Sequence, residues 1–263
     1  MLDSSVRGGG VVPWRSFHVG RARVDDLTLD DGLDAIARLV EARRGGTVFT
    51  PNVDHVVRLE RDTRFRRAYA SVNLSLPDGM PILWASRLLG SPLREKVSGS
   101  DLILPLMRLA AKRRYRVYLL GGGGGVAARA AERLVREIPG LVIAGTDARH
   151  VDVDGQPEDH DDLVATLAAA GPHLILLALG CPKQEILAHR IADRVRPAVC
   201  IGVGAGLDFV AGTKPRAPRW MSDAGLEWLH RLVHEPRRLW RRYLVEDPEF
   251  CLIFLREIWR RRR

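Results

Sequence analysis

Two stretches of the chain are almost wholly apolar: Tyr115–Leu120 (Y-R-V-Y-L-L) and His173–Leu179 (H-L-I-L-L-A-L). Short continuous apolar runs of this kind predict strands that are covered on both faces. Ala198–Val203 reads the same way. Thr47–Thr50, Val72–Leu76 and Leu141–Ala144 are further strand candidates, and Val19–Leu27 can hold a short one. Between them the apolar positions shift to helical spacing. In Asp30–Arg43, for example, Leu33, Ile36, Ala37 and Val40 share one face behind an acidic first turn. Helices are likewise predicted over Asn52–Ala70, Met80–Leu89, Ser98–Lys112, Val126–Ile138, Asp161–Ala170 and Gln184–Arg194. Strands alternating with helices imply a parallel sheet joined by right-handed crossovers. The expected fold class is α/β: a Rossmann-like parallel sheet with helices on both faces, plus a C-terminal helical appendage.

Strand signals stop near Pro215, and Arg219–His234 and Pro236–Arg263 read as helices rich in Trp and Arg. The chain therefore divides into a flexible, Gly-rich leader (1–16), a Rossmann-like catalytic core (17–213) and a basic, membrane-associating appendage (214–263). Charge sharpens the division. The 263 residues carry a formal net charge of +9, and from Lys214 to Arg263 there are 13 Lys and Arg against 7 Asp and Glu. A localised basic patch attracts nucleic acid, anionic headgroups or diphosphates. Interleaved tryptophans favour an interface over a merely solvated face. The polar N-terminus lacks the apolar stretch of a signal peptide, and no run approaches the ~20 apolar residues that span a bilayer. The expected location is cytoplasmic. Three cysteines, Cys181, Cys200 and Cys251, without paired spacing argue against a disulfide framework or a zinc site.

Ligands of open α/β sheets sit beyond the C-terminal strand ends. Five such ends carry suggestive groups. Gly121–Gly125 lets backbone N–H groups, at Gly122 and Gly123 among others, approach an anionic or sugar ligand, or simply makes a tight turn. It lacks the Lys-Ser/Thr of a phosphate loop. Asp78, between Pro77 and Gly79, can act as general base or as helix N-cap. Thr50 and Asn52 can contact a sugar or cap a helix, and Gln184 can be a ligand contact or only a first-turn residue. Gly204 lies in the loop Gly204–Gly206, and Asp208 just after it can accept from ribose hydroxyls or cap a short helix. Arg231, Arg238, Arg241 and Arg242 would share roughly one face of a continuous helix, although Pro236 makes a break there. Guanidiniums grip phosphate oxygens. No metal constellation stands out, and Asp152-x-Asp154 lies in a polar loop; if no metal neutralises a leaving diphosphate, arginines must do so.

In order along the chain stand T-P-N (Thr50–Asn52), P-D-G-M (Pro77–Met80), A-S-R-L-L-G (Ala85–Gly90), L-G-C-P-K-Q-E (Leu179–Glu185), G-V-G-A-G-L-D-F (Gly202–Phe209), K-P-R-A-P-R-W (Lys214–Trp220) and the long stretch Gly225–Tyr243. Together, over residues 20–255, these resemble the WecG/TagA/CpsF glycosyltransferases, glycosyltransferase family 26. The resemblance implies inverting transfer from a UDP-sugar, often of N-acetylmannosamine type, to an undecaprenyl-diphosphate-linked acceptor. The setting would be cell-envelope or exopolysaccharide synthesis at the inner face of the membrane, with no cofactor and no required metal. By resemblance Asp78 is the base; Thr50, Asn52 and Gln184 line the substrate pocket; Arg231, Arg238 and Arg241 are the C-terminal arginines; Gly204 and Asp208 fall in the nucleotide region. Lys96 stands where the family often has Arg, which keeps the charge and loses the planar fork.

The partners expected are thus a UDP-sugar donor, a polyprenyl-diphosphate-linked sugar acceptor and an anionic membrane surface through Trp220, Trp228, Trp240 and Trp259. No nucleic acid is expected, and a homo-oligomer is left open. Two other readings are an NAD(P)-dependent oxidoreductase, from the glycine run and the fold, and a nucleic-acid-binding module, from the basic tail. The first lacks a clean fingerprint, and the second leaves the strand-end residues without a role.

Overall fold

A computed structural model describes residues 14–262. Most of the expected leader, residues 1–13, lies outside them. The chain begins with a hairpin, β1 (Ser16–Val19) and β2 (Ala22–Asp25), turning at Gly20. The single strand expected in Val19–Leu27 is thus two, and the first starts inside the stretch read as leader. The reason lies in β1, where exposed Ser16 and His18 alternate with buried Phe17 and Val19, so one face is wet.

The core follows as α1 (Leu29–Glu41), β3 (Gly46–Phe49), α2 (Val53–Arg61), α3 (Thr63–Ala70), β4 (Leu74–Ser75), α4 (Met80–Leu88), α5 (Gly99–Arg113), β5 (Arg116–Gly121), α6 (Val126–Glu137), β6 (Val142–Asp147), α7 (His160–Ala170), β7 (Leu174–Ala178), α8 (Lys183–Ile191), β8 (Val199–Gly202) and α9 (Gly206–Ala211). The helix expected over Asn52–Ala70 is broken at Asp62, whose carboxylate accepts from the backbone N–H of Arg64 (2.8 Å) and Phe65 (3.2 Å) and so caps α3.

β3 to β8 form one six-stranded sheet in the order β4-β3-β8-β7-β5-β6, every neighbouring pair parallel. β7 and β8 are buried at every position, as their apolar sequences require, and β6 at the edge is half-buried to exposed throughout. The sheet separates two cores by the period-two alternation of its side chains. Tyr118, Leu120, Ile175 and Leu177 face one side, packed with the hairpin, α2, α3, α7 and α8. Val117, Leu119, Leu174 and Leu176 face the other, packed with α1, α5, α6 and α9. The chain runs from β3 outward to β4, then crosses to β5, so the strand order reverses and the C-terminal ends of β3, β4, β7 and β8 open a crevice.

The C-terminal helices are α10 (Arg219–Asp223), α11 (Glu227–His234), α12 (Pro236–Arg241), a π-helical turn (Arg242–Glu246) and α13 (Glu249–Arg261). The two long helices expected here are thus interrupted three times. α13 folds back on the core. Ile253 is buried there, Phe250 and Phe254 pack beside it, and Arg261 donates to the carbonyls of Leu89 and His18, both at 2.9 Å. Among the described residues no helix is long and apolar enough to cross a membrane.

Candidate active site

Four strand ends and the C-terminal helices enclose two adjoining cavities. The smaller, about 90 Å³, is lined by Thr50, Asn52, Asp78, Ser98–Ser100, Gly180, Cys181, Gln184, Val203–Gly206, Glu227, Arg231, Arg238 and Arg242. The larger, about 350 Å³, shares Asn52, Asp78, Glu227, Arg231 and Arg242 and adds Lys96. It also has an apolar wall of Val53, Met80, Pro81, Trp228, Tyr243, Pro248 and Cys251. Asp78 lies where the two meet.

The backbone explains how Asp78 gets there. Gly79 has φ +93° and is itself the N-cap residue of α4, with no side chain capping that helix. The conformation is one an L side chain rarely adopts, so glycine is needed at this position. Asp78 is therefore not the cap its position allowed. Its own N–H donates to the Pro51 carbonyl at 3.1 Å, and the N–H of Val97 donates to the Pro77 carbonyl at 2.7 Å. These bonds tie the ends of β3 and β4 and the approach to α5 into one rim. Gly99, in the first turn of α5, has no room for a Cβ, which would stand 2.9 Å from the Val203 Cα. That close approach sets the start of α5, capped by Ser98, against the end of β8.

Burial pushes the Asp78 carboxyl up to about 7, and the charge of Glu227 adds to this, while Arg231, Lys96 and His55 pull the other way. A carboxyl held near neutrality changes proton occupancy around working pH, which is what a general base requires. Glu227 reaches Arg231 at 3.9 Å, and the Arg231 guanidinium lies over the Phe209 ring.

The other expected site residues divide. Thr50 is buried in the wall of the smaller cavity. Asn52 stands at the N-cap of α2, and its Oδ1 faces His55 Nδ1 at 3.1 Å and accepts from Arg242 Nη2 at 3.4 Å. Gln184 lines the smaller cavity, but its amide is engaged from behind. Its Oε1 accepts from the Gly204 N–H (3.0 Å), and its Nε2 donates to Glu185 Oε1 (2.6 Å), so it shapes the Gly204 loop. Lys96 lines the larger cavity and pairs with Asp101 at 3.6 Å.

Four expected residues lie elsewhere. Gly122 and Gly123 follow β5, on the far side of β7 from the cavities, and line neither. The run works as a tight strand–helix turn, where a Cβ on Gly121 would meet the Ala178 carbonyl oxygen at 2.6 Å. Asp208 turns to Thr213 Oγ1 (3.2 Å) and Lys214 Nζ (3.9 Å), and also lines neither cavity. Arg241 is exposed and pairs with Glu246 at 3.2 Å, whereas its neighbour Arg242 lines both cavities. The break at Pro236 and the π turn from Arg242 rotate the face that uniform helical spacing assigns to both.

Behind the cleft lies a buried polar group that is not among the expected site residues. His55 Nε2 meets Glu185 Oε1 at 3.2 Å, and Arg242 Nη2 reaches Asp54 Oδ2 at 3.5 Å. Burial opposes ionisation of Asp54, yet Arg242, Arg58 and His55 outweigh it and hold its carboxyl below the usual range. Asp247, 3.9 Å from Arg242, is pushed up to about 6, chiefly by burial. Asp54, His55 and Cys181 bring ligand atoms within 4.8 Å of one another. They do not suit a cation, because Asp54 already serves two guanidiniums and burial pushes the Cys181 thiol well up. The one legible signal for this group was a histidine three residues after a candidate cap, at helical spacing.

Outside the cleft the C-terminal helices carry an exposed apolar series. Trp220, Trp240, Leu244, Val245, Leu252, Leu255 and Trp259 are all more than half exposed, amid arginines.

Over residues 17–263 the sequence matches the family described as Glycosyl transferase WecG/TagA/CpsF family. Two similar proteins carry the same name, N-acetylglucosaminyldiphosphoundecaprenol N-acetyl-beta-D-mannosaminyltransferase. The one from Bacillus spizizenii is 32% identical over 217 residues, covering 82% of this chain and 81% of the relative. The one from Bacillus subtilis is 31% identical over 218 residues, covering 83% and 82%.

Proposed function

The chain belongs to the WecG/TagA/CpsF glycosyltransferase family, and from that premise we propose that it moves an N-acetylmannosamine-type sugar from UDP to a polyprenyl-diphosphate-linked N-acetylglucosamine, with inversion. The observation that carries the reading is the place of Asp78 at the junction of two cavities of different character. A direct displacement needs the base between donor and acceptor.

The UDP-sugar takes the smaller, polar cavity. There the start of α5 and the Gly204 loop present backbone, and a helix N-terminus favours a diphosphate. The sugar end of the acceptor takes the larger cavity, whose apolar wall suits a lipid-linked substrate. Asp78 accepts the proton of the acceptor hydroxyl as its oxygen bonds to the anomeric carbon. The bond from that carbon to the diphosphate breaks on the opposite face, and UDP leaves with the electron pair. Arg231, Arg238 and Arg242, which line that smaller cavity, offset the charge that develops on the leaving group, and Lys96 adds its charge from the larger one. The names of the two relatives describe a β-D-mannosaminyl group, and a single displacement at an α-linked nucleotide sugar would give that configuration, which supports the reading.

Residues 214–263 act as an appendage that seats the cleft on the inner face of the membrane. Its exposed tryptophans suit the headgroup layer, and its basic residues suit anionic lipid. Family membership leaves the nicotinamide-enzyme and nucleic-acid readings without support.

The test is to incubate the purified protein with UDP-N-acetylmannosamine and a short-chain prenyl-diphosphate N-acetylglucosamine and to follow the lipid product by mass spectrometry. The expected product has gained one N-acetylhexosamine. Transfer of a different sugar from a UDP-sugar panel would replace the donor assignment. Absence of transfer from every member, with vesicles present, would contradict the reading.

A further inference from the structure

Behind the cleft an unbroken chain of polar contacts runs from the C-terminal helices to the Gly204 loop. Asp247 and Asp54 hold Arg242 (3.9 and 3.5 Å), and Arg242 Nη2 donates to Asn52 Oδ1 (3.4 Å). His55 Nδ1 stands 3.1 Å from the same Asn52 oxygen, and His55 Nε2 stands 3.2 Å from Glu185 Oε1. Glu185 accepts from Gln184 Nε2 (2.6 Å), and Gln184 Oε1 accepts from the Gly204 N–H (3.0 Å). His55 is 3% exposed and Glu185 is fully buried, so no substrate touches either.

The donors in this chain fix the orientation of one amide. A guanidinium only donates, so the end of Asn52 that meets Arg242 must be its oxygen. The amide NH2 is then the opposite end. Among the described residues it has no hydrogen-bond partner, on a side chain that lines both cavities beside Asp78. An NH2 group in that place recognises an acceptor oxygen, a hydroxyl or acetamido oxygen of a sugar at the junction.

We propose that His55, held by Glu185, is a positioning residue that locks the Asn52 amide with its NH2 toward the sugar. The kinetic part of this rests on the transferase reading above. The same contact joins both walls of the cleft, because Asn52 caps α2 just after β3 while Gln184 and Glu185 lie in the first turn of α8. A buried histidine between two oxygens is expensive to place unless both contacts are kept, which makes the arrangement specific.

Two variants and one structure test it. His55→Leu removes the ring's contacts with Asn52, to its side-chain oxygen and from its backbone N–H (3.5 Å), and with Glu185. Asn52→Asp keeps an oxygen facing His55 and Arg242 and replaces the donating NH2 by a charged oxygen that cannot donate. Each is expected to lower kcat roughly 10–100-fold, the scale of a lost hydrogen bond in a transition state. The apparent affinity for UDP, whose diphosphate is assigned to the start of α5 and the Gly204 loop, is expected to stay within about 3-fold of wild type. Thermal melting of Asn52→Asp, measured alongside, separates a kinetic loss from misfolding. The double variant is no slower than the slower single one, because both changes disable one contact. Losses that multiply, or wild-type kcat in either single variant, would overturn the proposal.

Should His55→Leu not fold, Asn52→Asp decides alone. Should the wild type transfer no sugar, the transferase reading fails separately, and a crystal structure of His55→Leu still answers. Asn52 turned out of the cleft supports the positioning role, and Asn52 unmoved refutes it.

Discussion

Replacing Asp78 by Asn removes the charge of one carboxyl and almost nothing else, so its effects on rate and on stability can be worked out separately. The carboxyl is raised from its ordinary 3.8 to about 7, chiefly by burial and by Glu227. Between those two values the folded protein binds the proton more tightly than the unfolded chain. Stability therefore falls as pH rises from about 4 to 7, and the full cost of holding the ion is present above about 7. At ~1.4 kcal/mol for each tenfold change in proton affinity, the ceiling is ~4 kcal/mol. Asp78 faces a wet cleft, and solvent screening reduces this to roughly 1–2 kcal/mol. Asn, neutral at every pH, escapes that cost. Asp78→Asn should melt ~2–8 °C above wild type at pH 8 and level with it at pH 4. Turnover should fall by roughly 10²–10⁴, the usual worth of a general base, with UDP affinity little changed. Differential scanning fluorimetry across pH and a single-turnover transfer assay measure the two arms. Near-wild-type turnover would remove Asp78 from the role of base. A melting difference independent of pH would show that its ionisation is not what the cleft opposes.

Glu227→Gln removes the second cause of the Asp78 elevation, so the acidic limb of the pH–rate profile should move to lower pH; a limb that stays or rises contradicts that coupling. Gly99→Ala sets a methyl 2.9 Å from the Val203 Cα and must separate α5 from β8; we expect ~1–3 kcal/mol of destabilisation by denaturant titration and weaker UDP binding. Arg242→Lys keeps a charge beside Asp54 but cannot reach Asn52 and Asp247 together; a loss of at least 10-fold in kcat/KM is expected, against little change for Arg241→Lys. Trp220, Trp240 and Trp259 changed together to Ser should weaken co-sedimentation with anionic vesicles at least 10-fold, and binding of the wild type should itself weaken with salt.

Much of the sheet was legible because its strands are buried on both faces. β5 and β7 are continuous apolar runs, and nothing else competes with that pattern. β1 was hidden because only every second residue is buried, whereas β4 lies inside the expected Val72–Leu76 and is shorter than expected because its ladder is two residues long. The break at Asp62 is a side-chain cap, a local choice that the apolar periodicity of α2 and α3 does not record. The strand-end motifs located the cleft, since Thr50, Asn52, Asp78, Gln184 and Gly204 all line it. The five glycines were the most conspicuous feature and lie outside it, because sheet order sends β5 beyond β7. Arg241 and Arg242 are neighbours on one basic stretch, and only the π turn decides which of them faces in. His55 and Glu185 are 130 positions apart, and their pairing depends on β3 and β7 being separated by one strand.

The central claim is a single displacement at the junction of the two cavities, with Asp78 taking the proton. Its most direct measurement is the configuration of the new glycosidic bond. The product formed from an α-linked UDP-sugar can be read by the one-bond carbon–hydrogen coupling at the anomeric carbon. A β-linked product, lost in Asp78→Asn, is the result expected. An α-linked product from the same donor would mean retention, and would contradict both the one-step mechanism and the role given to Asp78.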